Sequence, residues 1–84
     1  MNESLSQKRT IMHSELTIRR IAERRFDVHD ASDPNFELND ISDTQLLGYL
    51  RKRKLLDTTA EAVLQQFDAN ERRSVLHVII DRSL

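Results

Sequence analysis

Three histidines, His13, His29 and His77, are the only imidazoles in the chain, and no cysteine accompanies them. No two of them stand four apart, the spacing that puts two imidazoles on one helical face. Neither a nitrogen nor a thiolate metal site is therefore expected. The densest group of hard ligands is Asp27, His29, Asp30 and Asp33. It lacks the glycine and the terminal glutamate of a calcium loop, so it reads as a solvated acidic loop. His77, flanked by Val75 and Ile79, is expected at the edge of the core without being a ligand.

Covalent and phosphate chemistry find equally little support. A serine nucleophile on a strained elbow needs glycines beside it, and the sole glycine, Gly48, has no serine neighbour. A loop that cradles phosphate needs several glycines so that backbone can approach the anion. Paired carboxylates need a walled cleft to push their pKa values apart, and a short helical chain offers little concavity. No enzyme activity, metal or cofactor is expected. Gly48 itself has two readings. It is either a point where another helix passes too close for a side chain, or an incidental surface residue that costs its helix about 1 kcal/mol relative to alanine.

Charge carries the strongest functional signal. Thirteen Lys and Arg against fourteen Asp and Glu leave a net charge of −1, yet the signs are segregated along the chain. Lys8, Arg9, Arg19, Arg20, Arg24 and Arg25 face only Glu15 and Glu23 in residues 8–25, whereas 27–43 holds six acids and no base. A basic run, Arg51-Lys52-Arg53-Lys54, follows. Its four side chains radiate around one helical turn, which suits a solvated helix C-terminus. Alternatively, Arg19, Arg20, Arg24, Arg25 and Arg51 to Lys54 contact nucleic-acid phosphates or an acidic partner. A helix-turn-helix built on 43–54 and 59–67 would present Thr59 to Phe67 as its recognition helix. That segment has no Lys or Arg and carries Glu61, which counts against the geometry.

The elements that would carry these residues are read from periodicity. At 100° per residue, Leu5, Ile11, Met12, Leu16, Ile18, Ile21, Ala22 and Phe26 fall within an arc of about 220°, predicting a long helix over about 5–25. Lys8, Glu15, Arg19, Glu23 and Arg25 fall inside the same arc, with Glu15 and Arg19 able to pair at i,i+4. Residues 27–41, rich in Asp, Asn and Ser and bent at Pro34, read as an acidic connector pinned by Phe36 and Leu38. Ser42 with Gln45 has capping-box spacing, and Ile41 with Leu46 has that of a hydrophobic staple, ahead of a helix at about 43–54. Thr58 with Glu61 and Asp68 with Glu71 precede helices at about 59–67 and 69–82. The β-branched run within Ser74 to Ile80 also suits a strand. The expected fold is all-α: one long N-terminal helix, an acidic connector and three shorter helices in a small bundle, as a single domain.

An apolar arc wider than the roughly 100° one supporting surface needs implies a second surface. The leading reading is a small non-enzymatic regulator or adaptor working through protein–protein contacts, as a homodimer joined through Ile11, Met12, Leu16, Ile18, Ala22 and Phe26. The alternative is a nucleic-acid-binding transcriptional regulator using the basic clusters. No apolar run is long enough to span a membrane, and Met1 to Ser4 lacks the start of a secretion signal. A cytoplasmic protein is expected.

Overall fold

A computed structural model describes residues 13–82. The chain runs β1 (His13–Ala22), β2 (Arg25–Asp30), β3 (Glu37–Ser42), α1 (Asp43–Arg51), α2 (Ala60–Ala69) and β4 (Val75–Asp81). The four strands form one antiparallel sheet in the order β3-β2-β1-β4. Both helices cover the same face of it.

The all-α expectation is overturned, and the reason lies in residue alternation. Along β1, Ser14, Leu16 and Ile18 are buried while His13, Glu15 and Arg19 are exposed, the period of two that belongs to a half-buried strand. The charges that spoiled the helical arc, Glu15 and Arg19, are the outward members of that alternation. An arc as wide as about 220° accommodates either period, so it does not discriminate between them. The predicted acidic connector is also mostly strand. In β2, Phe26, Val28 and Asp30 are buried between Arg25, Asp27 and His29, so of its turn-forming side chains Asp27 takes an outer position and Asp30 a buried one.

In β3 the alternation is broken by a bulge opposite Asp27, which puts Leu38 and Ile41, three apart, on the same inner face against Val28 and Phe26. Asp40 takes up the bulge with φ 56°. Its backbone N–H donates to Asp27 Oδ1 at 2.8 Å, and Arg25 binds its carboxylate and its carbonyl. The C-terminal segment is β4 from Val75, not a helix over 69–82. Leu76, Val78 and Ile80 point inward, and Val75 to Ile80 supplies the β-branched residues a pleated surface favours.

Helix α1 begins where its cap spacing places it. Ser42 Oγ accepts from the Gln45 N–H at 3.1 Å, and Gln45 Oε1 accepts from the Ser42 N–H at 2.8 Å. The helix stops at Arg51, three residues before the expected end at Lys54. Thr59 caps α2, one residue later than the Thr58 spacing implies, with its hydroxyl oxygen accepting from the Ala62 N–H at 3.1 Å. Leu46 and Leu50 of α1, with Ala60, Val63 and Phe67 of α2, close over Leu16, Ile18, Phe26, Val28, Leu76, Val78 and Ile80 to form the core. The i,i+4 and i,i+3,i+7 spacings of these helix residues give each helix one buried stripe.

The sheet edges are unequal. The outer edge of β4 is met by the segment after α1: Leu56 N–H donates to Ile79 O at 3.0 Å, and Asp81 N–H to Lys54 O at 2.9 Å. The outer edge of β3 is bulged and carries Glu37 and Asp40, the features with which natural sheets discourage pairing with another strand. Among the described residues no helix is long and apolar enough to cross a membrane.

Candidate protein-docking groove at the hairpin end

The end of the β1–β2 hairpin meets the C-terminal half of α2 across a groove of about 660 Å³. Its position is fixed by Arg20, which points inward from β1. One guanidinium nitrogen donates to Phe67 O at 2.9 Å. The other faces the carbonyls of Asn70, Glu71 and Arg73 at 3.0, 2.9 and 2.6 Å. The guanidinium carbon lies 5.2 Å from the Phe67 ring centroid. One side chain thus adds a charged donor to the carbonyls at and after the end of α2, of which Phe67 O and Asn70 O also accept from the Asn70 and Arg73 N–H groups, and ties the following turn to the sheet, a task that suits a planar five-donor cation.

Register slips by one residue between Arg20 and Ala22. Ile21 is the extra residue of this bulge, a feature that re-aims a side chain. It is 45% exposed, one of two large apolar side chains so placed among the described residues, and it lines the groove. Leu64, half-buried, lines the same groove, as do the buried Phe26 and Phe67. Three carboxylates, Glu23, Asp68 and Glu71, stand around the groove, and none has an ion pair or side-chain hydrogen bond among the described residues. Arg24 bridges to Asp43 at 3.1 Å, and the two other lining cations, Arg20 and Arg73, have no carboxylate partner among the described residues, Arg20 being bound to backbone carbonyls. The groove therefore joins the exposed Ile21 to a lining of four carboxylates against three guanidinium groups.

The residues expected to form a dimer interface are placed differently. Leu16, Ile18 and Phe26 are 0%, 0% and 3% exposed in the single chain, so they hold the core and cannot reach a second copy. Ala22 is exposed and lines the groove. Ile11 and Met12 lie outside the described residues.

The basic clusters are dispersed by the strand geometry. Arg19 is exposed on the face away from the helices, opposite Asp27 on β2 and Val75 on β4. Arg20 is the α2 clamp. Arg25 pairs with Asp40 at 2.7 Å, which raises the guanidinium pKa and holds the Asp40 carboxyl below its ordinary range. Arg51 pairs with Glu61 at 2.6 Å, and its hydrogen bonds lower the Glu61 pKa. Arg53 stacks over Tyr49 at 5.7 Å, Lys54 lies 3.8 Å from Asp81, and Lys52 is exposed with no partner among the described residues.

The Asp27, His29, Asp30, Asp33 group is split by alternation. Asp27 and His29 face outward, and Asp33 accepts from the Asn35 N–H in the following turn. Asp30 is 1% exposed. Its Oδ1 accepts from Ser14 Oγ and from the Ser32 N–H and hydroxyl, and its Oδ2 from Arg82 at 2.7 Å. Burial pushes the Asp30 carboxyl up, but the serine hydrogen bonds and the Arg82 charge outweigh it and leave its pKa below the ordinary value. His77 Nδ1 lies 3.3 Å from Thr17 Oγ1 and 3.9 Å from Glu15 Oε2 on the open face. No group of three metal-ligating side chains converges among the described residues.

Asp68, Glu71, Ser14 and Arg82 carry roles that sequence reasoning did not assign. Their partners lie 16 to 52 residues away or are absent, and no local spacing encodes them. Comparison with protein-family models, with curated proteins and with solved structures returns no match, so the functional reading rests on this chain's own residues.

Proposed function

We propose that the protein is a cytoplasmic, non-enzymatic binding module, a small regulator or adaptor whose groove receives a basic polypeptide segment bearing an aliphatic anchor. The observation that carries this is the juxtaposition of exposed Ile21 with Glu23, Asp68 and Glu71, three carboxylates without cations. Apolar surface at the centre of a patch supplies affinity, and a charged rim supplies orientation and on-rate. Strand addition to the sheet has less support, because β4 is covered by Lys54 to Leu56 and β3 is bulged and acidic.

Nucleic-acid binding also has less support. Arg24, Arg25, Arg51 and Lys54 each stand beside a carboxylate, and Phe26, Phe36, Tyr49 and Phe67 all lie on the helix-covered side, so the open sheet face offers no phenyl or phenol ring on which a base could stack.

The test is an NMR titration of the full chain with short peptides that combine Arg or Lys with Leu, and with neutral scrambled controls. Shifts confined to the amides of residues 20–24, 64–71 and 73–74 are expected for the basic peptides, with loss in Glu71→Lys. Shifts centred elsewhere, or none at millimolar peptide, overturn the reading.

A further inference from the structure

Two large apolar side chains are exposed among the described residues, Ile21 at 45% and Leu56 at 40%. Each sits beside charge of opposite sign. Ile21 lies in the acidic groove, whereas Leu56 ends the run Lys52-Arg53-Lys54-Leu55-Leu56. That run leaves α1 and pairs in extended form with β4. Alternation in an extended segment puts Leu55 on one side and Lys54 and Leu56 on the other. Leu55 is the half-buried member packed on the core, and Lys54 and Leu56 are exposed. Lys52 adds a cation with no partner among the described residues. The chain therefore displays a basic segment with an aliphatic anchor, the ligand chemistry its own groove fits.

The two patches cannot meet within one molecule. Leu56 hydrogen-bonds Ile79, which pairs with Glu15 near the start of β1, while the groove lies at Ile21, six residues along the strand. At about 3.3 Å per residue that separation is about 20 Å. We propose that the groove of one copy takes the Lys52–Leu56 segment of a second copy, in a head-to-tail contact. This rests on the reading of the groove as a docking site and names its occupant. Lys52 would meet Glu23, Asp68 and Glu71, joined by Lys54 on exchanging its 3.8 Å contact with Asp81, Leu56 would pack on Ile21, and Asp57 would supply the counter-charge for Arg73. Because the two surfaces differ, the contact is heterologous and continues into a ring or an open chain. Its small size places it in the transient class of interface.

Sedimentation velocity of the full chain over micromolar to millimolar concentration provides the test, with two variants. Ile21→Glu disables the groove and leaves the segment, whereas Leu56→Asp disables the segment and leaves the groove. Both sites are exposed, and circular dichroism checks that each variant folds; should Leu56→Asp unfold, Lys52→Glu with Lys54→Glu replaces it. The wild type is expected to grow beyond a dimer with concentration and to dissociate in high salt. Each variant alone is expected to stay monomeric, and an equimolar mixture to form one dimer that grows no further, because only one productive contact remains. A wild type that stays monomeric throughout overturns the proposal, as does association of the wild type with no dimer in the mixture. A monomeric wild type whose groove still binds basic peptides by NMR would remove the second copy as occupant and leave the docking reading intact. Loss of both would remove the docking reading as well.

Discussion

The Arg20 guanidinium stands 5.2 Å from the Phe67 ring centroid and donates to the Phe67 carbonyl at 2.9 Å, so a residue of the central strand closes the C-terminus of α2. With Asn70, Glu71 and Arg73 also facing it, this side chain fixes the wall of the groove that carries Asp68 and Glu71. Lysine retains the charge but not the fork. Arg20→Lys is expected to cost about 1–3 kcal/mol, in the range of a few lost charge-assisted hydrogen bonds. Thermal melting should fall accordingly, and amide exchange should rise across residues 67–74. An unchanged melt with unchanged exchange would show that α2 holds its own end.

Asp30 couples stability to pH. Its folded pKa lies below the ordinary value, so its contribution is full above the unfolded carboxyl pKa of about 3.9 and is lost as pH falls through the folded value. Asp30→Asn removes the charge that Arg82 and the two serines address. It is expected to cost about 2–4 kcal/mol at neutral pH, the scale for breaking a buried hydrogen-bonded pair from one side. Urea midpoints of wild type and variant compared from pH 7 to pH 2 should converge below about pH 4. A gap that stays constant with pH would mean that Asp30 contributes by shape and not by charge.

Legibility in the sequence followed the range of the interactions. The α1 cap was readable because Ser42 and Gln45 bind each other across three residues. The strand character of β1 was present in Leu16 and Ile18 alternating with Glu15, Thr17 and Arg19, but Ile11, Ile18 and Ala22 also satisfy a helical period. Only the pairing of β1 with both β2 and β4 decides between them. In β2 the outward Asp27 and His29 imitated a loop, because an outer strand position tolerates the same polar types that a turn prefers. The groove was not legible at all. Its charge pattern joins Glu23 to Asp68 and Glu71 through a fold that brings residues more than forty positions apart to one rim, and the Ile21 bulge that completes it depends on strand register.

Gly48 is helical and exposed, and a Cβ built on it meets nothing within 4 Å. The close-packing reading of this glycine therefore falls, and the incidental surface reading stands. Gly48→Ala is expected to stabilise the chain by about 0.5–1 kcal/mol through helix propensity alone. For a domain of this size that is a rise in Tm of about 3–6 °C, measured by calorimetry with the groove titration unaffected.

Arg24 offers the opposite case with the same pair of small residues. It occupies the hairpin turn at φ 58°, a left-handed conformation that costs a side chain about 1–2 kcal/mol and glycine little. Its ion pair with Asp43 is 3.1 Å long, but the Arg24 side chain is 75% exposed, so the bridge returns little of that cost. Arg24→Ala and Arg24→Gly both delete the bridge, and only glycine relieves the backbone. The glycine variant is therefore expected to be more stable than the alanine variant by about 1 kcal/mol at position 24, while at position 48 alanine exceeds glycine. Chemical denaturation of the four chains, wild type among them, reads this reversal directly. If alanine were also the better residue at 24, the turn would not be held left-handed in solution.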